Sequence, residues 1–269
     1  MKIWESVRVA LRALLANKLR AVLTMLGIVI GVGAVITLMS AGEGVSAYIA
    51  NQLQGVGSNL LIIMPGSLDQ SSGPPMAMMD NDVLTVSDVR ALEDPMRAPD
   101  VAAVSAQLVG AATVKTAKRE SSPTVQGVMP NFAEIRSWQP VAGRMIGQED
   151  MNGRARVAVL GRATVDTLFP ENPYPVDESI KINGVPFRIV GVLEEKGGSQ
   201  FGNEDDTVLV PLTTAQVHLF SGRTRSGGYR VSVIMAQAVS QERMDAASQE
   251  ITAILRDQHE IEFADDDDF

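Results

Sequence analysis

The stretch that decides the fold is AVLTMLGIVIGVGAVITLMSAG, residues 21–42, which contains no charged side chain. About 20 helical residues cross the hydrocarbon core of a bilayer, so this stretch is long enough to span a membrane. A cleaved signal peptide is the alternative, but its apolar core normally runs about 7–15 residues. Residues 40–42 (SAG) also match a cleavage site poorly. We therefore predict an uncleaved transmembrane helix over 21–42.

The charges on either side of this stretch predict its orientation. Residues 1–20 carry five basic side chains and one acidic, whereas the rest of the chain carries 18 basic and 31 acidic residues, a net charge of −13. Because Lys and Arg beside a span stay on the cytoplasmic side, we expect the N-terminus inside the cell membrane and the large C-terminal part outside the cytoplasm. The acidic outer part has no basic patch that would favour nucleic acid as a partner.

The first 20 residues have a pattern of their own. Apolar side chains recur there at spacings of three and four, with cations off that stripe, which predicts an amphipathic helix lying on membrane lipid. The anchoring residues predicted on it are Trp4, Arg8, Arg12, Lys18 and Arg20. The alternative is an extension of the transmembrane helix with snorkelling cations. Both interpretations place the segment at the inner membrane surface, where a cytoplasmic partner could push on it.

Two glycines inside the apolar stretch predict a packing face. Gly27 and Gly31 form a G-x-x-x-G spacing, which lets a second helix approach closely within a membrane. Small residues are common in membrane spans, so the pattern indicates neighbouring helices without identifying them.

The outer part alternates short strands with helices. Strands are predicted at 59–64, 124–128, 156–160, 207–210 and 229–236, a hairpin at 179–193 and helices at 163–169, 213–220 and 241–258. Residues 85–88 are predicted to open a further short helix, with Thr85 as its N-cap. Asn183-Gly184 between alternating runs is typical of a type I′ turn. The chain has no cysteine, so the predicted core must form without disulfides or thiolate sites.

Catalytic patterns are weak in this sequence. The two histidines, His218 and His259, each fall in or beside a predicted amphipathic helix and are interpreted as surface or boundary residues. Acidic residues at 194–195 and 204–206 flank a glycine-rich turn that could hold a cation, but they lack the spacing of a calcium loop. Residues 265–268 are interpreted as solvated linker. We predict no catalytic residue, no metal and no cofactor.

Four segments resemble the extracytoplasmic domain of MacB-type ABC transporter permeases. They are GVMPNFAEIRSWQPVAGR (127–144), ARVAVLGRATVDTLFP (155–170), SIKINGVPFRIVGVLEEKG (179–197) and QFGNEDDTVLVPLTTA (200–215). NKLRAVLTMLGIVIGVGAVI (17–36) resembles the first transmembrane helix of the same FtsX-like family. The resemblance implies an α+β protein, in which an amphipathic helix and one transmembrane helix precede a mixed α/β extracytoplasmic domain.

The resemblance also implies an organisation of that domain, a porter-like βαβ subdomain with an inserted mixed α/β subdomain. The predicted boundaries are 1–20 for the cytoplasmic amphipathic helix, 21–42 for the transmembrane helix, 43–57 for a stalk helix, 58–129 and 227–262 for the porter-like subdomain, 130–226 for the insertion and 263–269 for an acidic linker. Permeases of the family continue into three more transmembrane helices, so this sequence resembles a truncated product or partial record.

The function implied is that of a permease subunit in an export system. No phosphate-binding G-x-x-x-x-G-K-[ST] loop occurs, so ATP hydrolysis is expected on a separate ABC ATPase subunit, which residues 1–20 would contact. The other partners implied are membrane lipid, a second permease copy in a homo- or heterodimer, and a periplasmic adaptor protein. Gln200 and Phe201 are the predicted adaptor contacts, unless Phe201 folds back under its own loop. The alternatives are an FtsX-like scaffold that regulates an envelope enzyme and, less favoured, a single-span envelope enzyme.

Overall fold

The structure is a computed structural model that divides the chain into two units, Met1–Gln54 and Gly55–Phe269. It describes residues 4, 7, 8, 18, 19, 22, 23, 25–37, 39, 59–66, 84–199, 202–220, 223–224, 227–262 and 267–269.

The first unit is helical wherever it is described. Residues 25–37 form one continuous helical run with exposed side chains, and Thr37 donates a hydrogen bond from its hydroxyl to the carbonyl of Gly33 at 2.8 Å. A Cβ atom added to Gly27 or Gly31 would meet no other atom within 4 Å. Among the described residues, no helix meets the length and hydropathy needed to cross a membrane.

The second unit contains thirteen strands within its described residues. They are β1 (Leu60–Ile63), β2 (Val101–Ala111), β3 (Val114–Lys115), β4 (Glu120–Ser121), β5 (Thr124–Val128), β6 (Pro140–Gly143), β7 (Val157–Leu160), β8 (Ser179–Ile182), β9 (Val185–Leu193), β10 (Gly198–Ser199), β11 (Gly202–Asn203), β12 (Thr207–Pro211) and β13 (Val233–Ala238).

Eleven of these strands form one mixed sheet. Its order is β1-β13-β2-β5-β12-β7-β9-β8-β3-β4, with β6 beside β9, and β10 pairs with β11 separately. The pairs β5–β12 and β7–β9 are parallel, whereas the other pairs are antiparallel. The parallel pair β5–β12 continues the sheet across the predicted subdomain boundary at residue 130. The boundaries themselves stay predictions.

Helices cover the two faces of this sheet unequally. The described helices of the unit are α1 (Val86–Leu92), α2 (Phe132–Ile135), α3 (Gln148–Asn152), α4 (Arg162–Leu168), α5 (Leu212–His218) and α6 (Met244–Gln258), with a 3₁₀ turn at Gln241–Arg243 before α6. Residues from α1, α4, α5 and α6 pack on one face, while α2 and Trp138 pack on the other. In β12, Val208 and Val210 face the first layer and Leu209 the second, because side chains alternate along a strand.

The turn between β8 and β9 confirms the predicted hairpin. Asn183 has a φ of 47° and Gly184 a φ of 84°, the two positive values that a type I′ turn requires. The pairing runs from Ile182 opposite Val185 to Ser179 opposite Arg188, so the hairpin has the register that this turn sets.

Local sequence patterns located most elements within a few residues. The strand predicted at 229–236 begins at Val233, since Tyr229 and Arg230 form only isolated bridges, to Arg223 and Thr85. The helix predicted at 241–258 starts as the 3₁₀ turn and becomes α-helical at Met244. The predicted α+β class is confirmed.

Candidate functional site

The first candidate site is the small hairpin β10–β11, in the connection between β9 and β12. Gly198 pairs with Asn203 and Ser199 with Gly202, so the two strands are antiparallel and closely joined. Gln200 and Phe201, the predicted adaptor contacts, come between the strands and lie outside the described residues.

Asp205 fixes the base of this hairpin. Its side chain is buried, and its two carboxylate oxygens accept the backbone N–H groups of Lys196 and Gly197, both at 2.8 Å. The backbone N–H of Asp205 in turn donates to the side-chain oxygen of Asn203 at 3.1 Å. Hydrogen bonds accepted by a carboxylate are strong, so the chain entering the hairpin is held to the chain leaving it.

A charged cluster around Trp138 supports that base. The ammonium group of Lys196 donates to the carbonyl of Arg136 at 2.6 Å and lies 5.3 Å from the centre of the Trp138 ring. Arg136 forms a 2.7 Å ion pair with Glu204, and the two side chains are only 15% and 21% exposed. Burial lowers the pKa of Lys196, and the neighbouring charge of Arg136 lowers it further.

The acidic residues near this hairpin bind the protein itself. Besides Glu204 and Asp205, the carboxylate of Glu194 accepts the backbone N–H of Gln139 at 3.1 Å, and that of Asp206 accepts the hydroxyl of Thr164 at 3.1 Å. Within the described residues, no three His, Cys, Asp or Glu side chains are grouped to hold a metal ion. Four of the proposed ligand carboxylates thus bind the protein, and a cation in this glycine-rich turn stays an untested hypothesis.

The second candidate site surrounds His259, which directly follows α6. Its Nδ1 lies 2.8 Å from Oδ1 of Asp268, and its Nε2 lies 3.4 Å from Oδ2 of Asp88. The His259 side chain is 9% exposed and packs edge-on against the ring of Phe269, with centroids 5.9 Å apart. The carboxylate of Asp88 raises the pKa of His259 most, burial opposes it, and Asp268 adds to it, giving a pKa of about 9.

Asp88 belongs to the start of α1. Thr85 precedes this helix as its N-cap, as predicted, and its backbone N–H and hydroxyl donate to Oδ2 of Asp88 at 2.7 and 2.9 Å. Burial works against ionisation of Asp88, but the hydrogen bonds from His259 and Thr85 outweigh it and lower its pKa. The same carboxylate therefore caps α1 and faces His259.

The last described residues contact the domain instead of extending freely into solvent. The carbonyl of Asp268 accepts the backbone N–H of Gly66 at 2.7 Å, and Asp267 pairs with Arg256 of α6. This corrects the interpretation of 265–268 as solvated linker for its last two residues. The interpretation of His259 as a surface or boundary residue missed its ion pairs, although its position beside acidic residues was visible. His218, at the end of α5, is half-buried as expected.

The anchoring residues predicted near the N-terminus are only partly described. Trp4, Arg8 and Lys18 are helical and exposed, Trp4 by 81%. Arg12 and Arg20 lie outside the described residues. Contacts of these five residues with lipid or an ATPase stay predictions, as does helix packing at Gly27 and Gly31.

Comparison with known proteins identifies the family of this chain. Residues 21–254 match the family described as MacB-like periplasmic core domain. The chain belongs to this family. It is 34% identical over 259 residues to the macrolide export ATP-binding/permease protein MacB of Azoarcus sp. (strain BH72), covering 96% of this chain and 37% of that protein. It is 32% identical over 257 residues to the protein of the same name from Rhodospirillum rubrum, covering 95% and 37%. The chain thus spans less than two-fifths of these relatives.

Two solved structures share the fold. The periplasmic region of MacB from Actinobacillus actinomycetemcomitans has a TM-score of 0.63 and 17% identity, over 77% of this chain and 87% of that chain. The extracellular domain of the noncanonic ABC-type transporter YknZ from Gram-positive bacteria has a TM-score of 0.59 and 19% identity, over 77% and 97%.

Proposed function

We propose that this chain is part of the permease subunit of an ABC-type export system and carries ATPase-driven motion to its extracytoplasmic domain. The observation that carries the proposal is the family match, because residues 21–254 include both the uncharged stretch 21–42 and nearly all of the mixed sheet. The basic N-terminus and acidic remainder support an N-terminus inside the cytoplasmic membrane and a sheet domain outside it.

In this proposal, a separate ABC ATPase binds the inner surface at residues 1–20. Binding of ATP displaces this segment and the transmembrane helix 21–42, and the stalk at 43–57 carries the displacement outward, since a helix is stiff along its axis. Two permease copies act as a pair, with the Gly27 and Gly31 face available for helix packing. The outer domains then expel substrate towards an adaptor protein.

The hairpin β10–β11 is the proposed adaptor contact. Its base is rigid, because Asp205, which follows the hairpin, binds the backbone N–H groups of Lys196 and Gly197, which precede it, and Lys196 is held against Trp138. A rigid base presents Gln200 and Phe201 to a partner at a lower entropic cost than a free loop would. An aromatic side chain is also a common source of binding energy at interfaces.

Capture of the adaptor by the full-length permease tests this function. We expect the double variant Q200A/F201A to weaken adaptor binding at least about tenfold, the effect of losing an interface hot spot. Tyr174→Ala is the matched control, because Tyr174 is an exposed aromatic residue elsewhere, 53% exposed. Unchanged binding in Q200A/F201A would contradict the hairpin contact. Copurification of a cell-wall hydrolase in place of an adaptor would contradict the export role and support the FtsX-like scaffold.

A further inference from the structure

Three distant parts of the chain meet at His259. Asp88 belongs to the start of α1, Gly66 follows β1, and Asp268 and Phe269 lie beyond α6. The imidazole of His259 faces the carboxylates of Asp88 and Asp268, while the carbonyl of Asp268 accepts the N–H of Gly66. The segment 267–269 is thereby joined to both β1 and α1.

The geometry favours a charged imidazole, because a carboxylate lies near each ring nitrogen, 2.8 Å from Nδ1 and 3.4 Å from Nε2. A neutral ring has one N–H, so it could donate to only one of the two carboxylates and would point a lone pair at the other. The imidazolium has two N–H groups and can serve both Asp88 and Asp268. The side chains of His259 and Asp88 are 9% and 4% exposed, so water screens this pair little, whereas Asp268 is partly exposed.

One charged neighbour of the imidazole among the described residues has partners of its own. Arg256, one turn earlier on α6, pairs with Asp267 and donates to the carbonyl of Glu262 at 2.6 Å. Among the described residues, the charged groups that face His259 itself are Asp88 from α1 and Asp268. Two carboxylates around one imidazole favour its protonated form.

We propose that the imidazolium of His259 is the positioning residue that couples segment 267–269 to helix α1. Because of this link, a displacement of segment 267–269 moves the start of α1 and does not first detach the segment from the domain. Helix α1 packs against β2 and α6. The transmission role rests on the proposed function, but the charged link can be tested without it. His259 acts here through Asp88 and Asp268 and contacts no substrate.

Nuclear magnetic resonance of the full chain tests the charged link. The chain has two histidines, so its imidazole Cε1–H region holds two signals, and His218→Gln assigns them. We expect the signal of His259 to titrate at a pKa of about 9 in the wild type and at a lower pKa in D268N and D88N. Glu178→Gln, an exposed carboxylate remote from the cluster, is the control and should change nothing. Titration of His259 at its ordinary pKa near 6.5, or no response to D268N, would overturn the link.

A transport assay tests the transmission role. In the full-length permease with its ATPase, we expect H259Q to lower export at least about fivefold per ATP hydrolysed, the low end of coupling between sites. His259→Lys restores a positive charge and should recover part of the export, which a purely structural loss would not do. Normal export in H259Q would overturn transmission. Absence of export in the wild type would instead reject the proposed function and leave the titration result standing.

Discussion

The hairpin base around Asp205 and the cluster around His259 use similar chemistry over different distances in the chain. Asp205 binds backbone groups eight and nine residues away, so it shapes one local loop. His259 contacts Asp88, which lies 171 positions earlier in the chain, and Asp268, which lies nine positions later. The Asp205 site therefore shapes a surface loop, whereas the His259 site holds distant segments of the chain together.

Removal of the Asp205 carboxylate should have the largest effect. Asp205→Ala removes two hydrogen bonds between half-buried N–H groups and a charged acceptor, which should lower the free energy of unfolding by about 3 kcal/mol. Asp166→Ala is the control, because that carboxylate is 59% exposed in an i,i+4 pair and should cost less than about 0.5 kcal/mol. Urea unfolding measures both. Equal, small losses would show that Asp205 does not fix the hairpin base.

The His259 cluster should show a pH dependence that the hairpin base lacks. Because the folded pKa of about 9 lies above the ordinary value of 6.5, the stability from this cluster is complete below pH 6.5 and is lost as the pH rises through 9. Between pH 6.5 and pH 9, we expect the free energy of unfolding of the wild type to fall by about 2 kcal/mol relative to that of H259Q. This is somewhat less than the full linkage value, because Asp268 is partly exposed.

Urea midpoints measured from pH 6 to pH 10 check this expectation, with H218Q as the control for the other histidine. Parallel pH profiles of the wild type and H259Q would contradict it, because the two proteins must converge once the imidazole of His259 is neutral.

Alanine substitutions at two glycines test the hairpin base, with a smaller expected loss of stability. Gly197 and Gly184 have φ values of 83° and 84°, and a Cβ on either would meet no atom within 4 Å. Alanine at either position should therefore cost only backbone strain, about 1 kcal/mol in unfolding free energy. Only Gly197→Ala should also weaken adaptor capture, because strain at residue 197 would displace the backbone N–H that donates to Asp205. Equal adaptor capture by the two variants would show that the hairpin base does not affect adaptor binding.

The sequence predicted what short-range patterns determine. Short apolar runs located strands such as β5 and β7, and Asn183-Gly184 specified its own turn. The parallel pairing of Thr207 with Thr124 joins segments 83 residues apart, and no local pattern encodes it.

The candidate sites show the same difference between local patterns, which the sequence reveals, and tertiary contacts, which it does not. The acidic residues near the hairpin were found from composition, but their main partners are backbone N–H groups, which composition cannot show. The His259 cluster was missed because Gly66, Asp88 and Asp268 come together only through tertiary packing. The adaptor contact at Gln200 and Phe201 stays a prediction.

Amide hydrogen exchange in the full chain compares the two sites most directly. The N–H of Gly66 is bonded to Asp268, whereas those of Lys196 and Gly197 are bonded to Asp205. If His259 holds segment 267–269 in place, H259Q should speed exchange at Gly66 at least about tenfold at pH 7 and leave the other two amides unchanged. Unchanged exchange at Gly66, or equal acceleration of all three amides, would contradict the account.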